Sequence, residues 1–450
     1  MASAAEQLAA NINFAAFAKA TDLQKRIWFT LIALVVYRVG TFIPIPGVDP
    51  EAFAQAFQQQ AGGILGMFNT FSGGAVERMA VFALNVMPYI SASIIMQLMA
   101  TSVPSLERLK KEGEVGRKQI NQYTRYLTLL LAVVQSYGIA VSLQSGGIAT
   151  NPGLFFVAST VITLTGGTMF LMWLGEQVTA RGVGNGISLI IMAGIVAEMP
   201  RIVMQTLALM RTGDVNAFAV VALAALLLGV IVFVVFIERS QRRLVVQYPK
   251  RQMGNRMFMG ESSFLPLKIN TSGVIPPIFA SSLLLLPTTI AGFAGMSASP
   301  PEWLTTFETY FGYGRPGHMA LYGLGIIFFC FLYTSIVFNP EETADNLRKY
   351  GGFLPGIRPG KKTAEYLDYV LTRLTVIGAA YITAVCLLPE ILSSSYGVPF
   401  YLGGTSILIV ISVTLDTVAQ IQSHLVAHQY EGLIKRSKLR GSTGPGITKR

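Results

Sequence analysis

Ten apolar runs, each about twenty residues long, dictate the fold class of this 450-residue chain before any other feature does. They fall at about residues 23–43, 79–101, 122–144, 154–176, 187–209, 217–237, 269–292, 318–339, 370–390 and 400–423. A helix of about twenty residues rises about 30 Å, enough to cross a bilayer core, and it satisfies its own backbone polar groups. The expected fold is an all-α polytopic membrane protein with ten transmembrane helices. With 52% hydrophobic residues, 13% charged and a mean hydropathy of +0.53, a soluble chain of this length is excluded. The fifth and tenth runs are the weaker ones: Glu198, Pro200 and Arg201 interrupt the fifth, and Asp416 lies in the second half of the tenth.

One stretch does not read as a plain span. Gly62 to Ala75 (GGILGMFNTFSGGA) is apolar but broken by glycine, and it precedes the longer run Met79 to Met99. As a helix it reaches only about 21 Å, so it is expected to dip into the membrane and return. Irregular backbone at that depth survives only beside protein or a water-filled cavity. The following piece is long enough to cross, with Pro88 expected to interrupt its hydrogen-bond ladder and make it a movable wall helix. Gly and Pro are also simply commoner in membrane helices. Their adjacency here points to a pore.

Alternate loops differ sharply in Lys and Arg, which fixes the orientation. One set holds Arg108, Lys110, Lys111, Arg117 and Lys118, then Arg239, Arg242, Arg243, Lys250, Arg251, Arg256 and Lys268, then Arg348, Lys349, Arg358, Lys361 and Lys362. The opposite loops hold only Arg78, Arg201, Arg211 and Arg315. Both termini are therefore expected in the cytoplasm. The chain divides into a cytoplasmic segment 1–22, a first half 23–211, a second half 212–423 and a tail 424–450, with large cytoplasmic loops at about 238–268 and 340–369. Two groups of five spans would face the membrane in opposite senses around a central pathway. The second span of each group carries the Gly/Pro interruptions, Gly273, Pro276, Pro277 and Pro287 in the second group, so the pathway is expected between spans two and seven. Leu8, Ile12 and Ala15 or Ala16 recur at helical spacing, which fits either a surface helix over 4–20 or a plain tail.

Ionisable groups inside the spans are scarce, unlike those of an ion or proton carrier. Arg38, Glu176, Arg373 and Asp416 lie toward span ends, where snorkelling or capping explains them. The candidate wall helices offer instead Val86 and Ile90, Ile191 and Ile195, Ile278, and Ile409, side chains able to form a constriction that excludes ions by dewetting. Spacing alone does not separate these from packed or lipid-facing residues. Gln97, Gln135 and Asn270 fit weak polar glue between helices, and would suit an opening seam if they met between spans two and seven. The basic loops have the length and mixed chemistry of docking surfaces for an RNA-bearing or acidic partner, with Arg358 presented between Gly356 and Pro359. Other motifs fail on context. Gly312 to Gly317 fits G-x-G-x-x-G without a preceding strand, Gly356 to Thr363 is one residue short of a P-loop, and His424 with His428 lacks a third metal ligand. Cys330 and Cys386 fall inside apolar runs as packing residues. No catalytic set, metal site or cofactor site is expected.

Several long segments resemble the SecY family, the central subunits of the bacterial protein-translocation channel. They are PIPGVD (Pro44 to Asp49), MFNTFSGGA (Met67 to Ala75), MPYISASIIMQL (Met87 to Leu98), GNGISLII (Gly184 to Ile191), GVIPPIFASS (Gly273 to Ser282), NPEETADNLRKYGGFLPGIRPG (Asn339 to Gly360) and YLGGTSILI (Tyr401 to Ile409). The resemblance implies an hourglass channel in the bacterial inner membrane, built from two pseudo-symmetric halves. It implies a plug over Gly62, Ile64, Leu65, Met67, Phe68, Phe71, Gly73 and Gly74, and a pore ring of Val86, Ile90, Ile191, Ile195, Ile278 and Ile409. Val86 stands where the commonest pattern has Ile, which loosens the ring by about a methyl group. A lateral gate is implied at Ser91, Gln97, Gln135, Asn270 and Ser282, and docking through Arg242, Arg243, Lys250, Arg251, Arg256 and Arg358. The implied partners are the SecE and SecG subunits, the SecA motor ATPase, the ribosome with its RNA, signal sequences, nascent polypeptides and membrane lipids.

Overall fold

Each expected apolar run carries helix in the computed structural model, which describes residues 20–60, 64–212, 217–248, 251–253, 256–258, 262–284, 309–312, 314–396 and 403–441. The first half contains α1 (Thr21–Gly40), α2 (Pro50–Gln60), α3 (Ile64–Phe71), α4 (Met87–Ser102), α5 (Pro104–Lys111), α6 (Glu114–Ser145), α7 (Leu154–Arg181) and α8 (Gly186–Thr212). The second contains α9 (Ala217–Arg239), α10 (Ile275–Leu284), α11 (Pro316–Val337), α12 (Pro340–Lys349), α13 (Lys361–Tyr396) and α14 (Gly404–Gly441). Among the described residues seven helices are long and apolar enough to cross a membrane: α6, α7, α8, α9, α11, α13 and α14. The described parts of α4 and α10 are shorter, and α1 carries Asp22, Lys25, Arg26 and Arg38. The surface helix considered over 4–20, the end of the seventh run and the last nine residues lie outside the described residues.

Small residues set the packing, because close backbone approach is what holds helices together once lipid replaces water. A Cβ on Gly186 would lie 2.0 Å from the Gly175 carbonyl oxygen, which locks the start of α8 onto α7. Asn185 caps that start, accepting from the Ile187 N–H at 3.2 Å. In the second half a Cβ on Gly404 would lie 2.0 Å from the Val385 oxygen, joining α14 to α13 in the same way. The halves meet where α14 runs against α8 and α1, with the Gly184 N–H donating to Gln420 Oε1 at 2.9 Å. α9 is the exception, with most of its apolar surface uncovered by the rest of the chain.

One expectation needs correction. The second span does not begin near residue 79: α4 starts at Met87, and the backbone from Ser72 to Val86 is a series of buried turns. Met79 (φ 42°) and Asn85 (φ 49°) take left-handed conformations that no helix passes through. Pro88 therefore falls in the first turn of α4, where a missing N–H costs no ladder bond, and it does not kink a wall helix. The wall helix is broken from the run before it by turns, not by proline.

The spans are helical as expected, and the described strands are confined to the loop after α9. The loop after α9 is a long antiparallel hairpin, β1 (Gln241–Gln247) on β4 (Ser262–Lys268), with a short β2 (Arg251–Met253) and β3 (Arg256–Phe258) pair at its tip. The loop between α12 and α13 docks on it, Gln247 and Phe353 exchanging N–H···O bonds of 2.9 Å in both directions. Leu244, Val246 and Leu267 from the hairpin bury with Ala344, Leu354, Leu367 and Leu371 into a separate apolar core. The two large basic loops are one folded platform.

Candidate functional site

Four helices carry the six branched aliphatics. Val86 is the N-cap residue of α4 and Ile90 lies one turn on; Ile191 and Ile195 are neighbours on α8; Ile278 is on α10 and Ile409 on α14. Five are buried, Val86 at 1% and Ile195 at 0% exposure, and Ile278 is partly buried. All six belong to, or pack on, one apolar cluster that also takes in Phe68 and Phe71 of α3.

α3 has eight residues, a rise of about 12 Å, so it cannot cross a bilayer. It ends against α8 at Gly194, next to Ile195, where a Cβ would lie 2.5 Å from the Phe71 oxygen. Glycine at 194 is what lets this segment seat. Gly73 (φ 67°) and Gly74 (φ 80°) then turn the chain back. The exposed ends of the turn are satisfied by neighbours: Tyr37 Oη donates to the Ser72 oxygen (3.1 Å), Arg38 to the Gly73 oxygen (2.6 Å), and Asn85 Nδ2 to the Phe71 oxygen (2.7 Å). Of the two roles open to a charge at a span end, Arg38 takes the capping one. Gly62 lies outside the described residues; Ile64, Leu65 and Met67 lie on α3 or at its start by their backbone.

Beside the turn is a group of charges that the hydropathy pattern registers only as interruptions. Glu198 on α8, its side chain 4% exposed, lies 3.8 Å from the Arg78 guanidinium and 3.0 Å from Arg201 Nε. Arg201 also pairs with Glu77. The Asn69 amide of α3 donates to Glu77 Oε2 at 3.2 Å and accepts from the Glu77 N–H at 3.0 Å. A sliding window counts charge as a cost and cannot see its partner, so the pairing was beyond it. The same holds for His318 on α11 and Glu390 on α13, buried together at 2.7 Å, and for Glu176, which makes a two-pronged pair with Arg125 at 3.0 and 2.6 Å between α7 and α6.

Where α4 and α10 meet, the Ser282 hydroxyl lies 3.9 Å from Met87 Sδ, and Ser91 of α4 is buried. The three amides do not meet there. Gln97 donates to Ser93 of its own helix at 3.3 Å, and Asn270 donates to Glu238 (2.6 Å) and to the Gly273 oxygen (3.1 Å). Gln135 is half-buried on α6. Residue type marked them as polar glue, but only side-chain direction decides to what. Beyond the seam Thr101 of α4 and Phe328, Phe331, Leu332, Ser335 and Ile336 of α11 line an apolar cavity of about 500 Å³. On the platform Arg242, Arg243 and Arg358 are exposed, and Arg358 stands between left-handed glycines at 356 (φ 79°) and 360 (φ 101°). At its edge the Lys362 ammonium bonds Glu365 at 2.8 Å. Arg251 and Arg256 fall on the tip strands by their backbone, and Lys250 lies outside the described residues.

The family model described as SecY matches residues 80–418. The chain belongs to the SecY family. Among its relatives, the protein translocase subunit SecY of Pseudomonas aeruginosa is 54% identical over 423 residues, 94% of this chain and 95% of that protein. The SecY of Escherichia coli K12 is 53% identical over 424 residues, 93% of this chain and 96% of that one. The fold is similar to that in "The structure of a protein conducting channel", at TM-score 0.65 and 18% identity over 90% of this chain and 93% of that one. It is also similar to Sec61 in a canine ribosome-channel complex from the endoplasmic reticulum, at TM-score 0.61 and 18% identity over the same shares. As a SecY-family member with several apolar spans, the chain is a multi-pass membrane protein. The SecY match begins after the Gly62 to Ala75 segment, so α3 and its carbonyl-holding partners Tyr37 and Arg38 rest on geometry and on the longer alignments to whole relatives.

Proposed function

We propose that the chain is the channel-forming subunit of a bacterial protein translocase. It conducts unfolded secretory polypeptides across the plasma membrane and releases apolar segments sideways into lipid. The observation that carries this reading is that Val86, Ile90, Ile191, Ile195, Ile278 and Ile409, on four different helices, belong to or pack on the apolar core that also takes in Phe68 and Phe71. A collar of branched aliphatics dewets around ions yet yields to a chain of any sequence, since it offers no fixed polar contacts. α3 and the turn after it act as the plug, and the seam between α4 and α10 acts as the lateral gate. Sideways release needs no chemistry, because an apolar segment of about twenty residues already prefers lipid. The chain itself therefore contributes a path and no catalysis.

The basic platform docks the drive. Exposed Arg242, Arg243 and Arg358 suit the phosphates of ribosomal RNA or the carboxylates of the SecA motor. SecE and SecG complete the complex, and the Lys/Arg asymmetry supports cytoplasmic termini. The two halves, 23–211 and 212–423, part along the gate around the α8–α14 contact.

Proteoliposomes containing the chain with SecE and SecG are expected to import a presecretory protein only when SecA and ATP are supplied. Uptake of a small solute in place of polypeptide would overturn the assignment.

A further inference from the structure

The plug segment meets its wall through charges of matched order. Glu77 and Arg78 are adjacent in the turn after α3; Glu198 and Arg201 are one helical turn apart on α8. They pair crosswise, Glu77 with Arg201 and Arg78 with Glu198. We propose that these four residues form a charge-register latch that holds the plug closed and lets it reopen without stranding a charge. The latch deepens the channel reading above and rests on it.

Its logic lies in how the charges divide. The plug side carries one negative and one positive group, and so does the wall. Glu198 is buried, and a buried carboxylate without a counterion is costly. When the plug leaves, Glu198 retains Arg201, already 3.0 Å away, and Glu77 leaves together with Arg78, the residue next to it in the chain. Release therefore breaks two crossed pairs and leaves two neutral halves. Both arginines are partly exposed, 31% for Arg78 and 40% for Arg201, so each crossed pair is modest in strength. That suits a closure which an arriving polypeptide must be able to undo. The remaining nearby cation, Arg38, is engaged with the Gly73 oxygen and with the face of Phe42, which it shares with Arg78. Asn69 transmits the hold to α3 through its two bonds to Glu77.

Charge reversal in blocks tests the register at constant net charge. The wall reversal is Glu198→Arg with Arg201→Glu; the plug reversal is Glu77→Arg with Arg78→Glu; the third variant combines all four. Two readouts serve: resting ion conductance in planar bilayers, and labelling of a Phe68→Cys reporter by a membrane-impermeant maleimide, the native Cys330 and Cys386 being buried. Each single reversal opposes like charges and is expected to raise both readouts about tenfold, and the combined variant to return within about twofold of the parent. Glu198→Gln and Arg201→Gln, milder changes that each cut one crossed pair, are expected to raise them a few-fold. Reversals as tight as the parent, or a combined variant as leaky as its halves, would sink the latch. Deleting residues 64–72 separates the two readings. A leaky deletion beside tight reversals removes the latch and leaves α3 as the plug, whereas a deletion that leaks nothing removes the plug role of α3 and the latch with it; the channel reading falls only if the import assay fails.

Discussion

Gly194 is where one missing atom decides whether the pore can be stopped. A methyl group there would come within 2.5 Å of the Phe71 oxygen and 2.9 Å of the Tyr37 hydroxyl, and neither backbone nor a seated ring can yield that far. Gly194→Val is expected to unseat α3 while leaving α8 helical, read as increased labelling at Phe68→Cys without loss of helix by circular dichroism. Ile191→Asn tests the collar itself. A buried amide without a partner costs about 1–3 kcal/mol, which water entry relieves, so resting conductance should rise and dependence on the signal sequence should relax. Unchanged conductance would count against Ile191 as a collar residue. The sequence named the collar by residue type and family likeness. It could not name Glu198 or Arg201 as anything but interruptions, because their meaning lies in Glu77 and Arg78, more than a hundred positions away.

At the scale of elements, the seam and the platform carry the predictions. Met87 and Ser282 lie on facing helices at 3.9 Å, so cysteines at both positions joined by a short bifunctional reagent should pin α4 to α10. Import of secreted chains and release of apolar segments should both fall, and reversal of the link should restore them. Normal release from the linked protein would place the exit elsewhere. On the platform, Asn339 caps α12 by accepting from the N–H groups of Glu341 (3.1 Å) and Glu342 (3.3 Å). Asn339→Ala is expected to cost about 1 kcal/mol locally, seen as faster proteolysis between α12 and α13. The helices were legible in the sequence because each apolar run has a length that only a bilayer explains. The hairpin was not, since β1 and β4 lie fifteen positions apart, β4 contains Pro266, and basic charge there is already expected on the cytoplasmic side. The start of α4 was misjudged for a related reason: hydropathy measures greasiness, and the buried turns from Ser72 to Val86 are as greasy as a helix.

Across the whole molecule, the sidedness of charge and the two-part build describe a body with its machinery at one end and its closure within. Arg358→Glu probes the machinery end alone. Because Arg358 projects from the platform and its side chain bears on neither the collar nor the turn after α3, motor- or ribosome-driven transport should drop while resting conductance stays at the parent level. Export at the parent rate would argue that docking lies on other residues. One further consequence follows from where α4 begins. The Asn85 side chain grips the last residue of α3 at 2.7 Å, and the next residue, Val86, caps the helix that forms one edge of the seam. On the proposed reading, stopper and door hang from the same pin: a polypeptide that pushed the stopper outward would twist the pin and make axial entry and sideways exit two strokes of one mechanism.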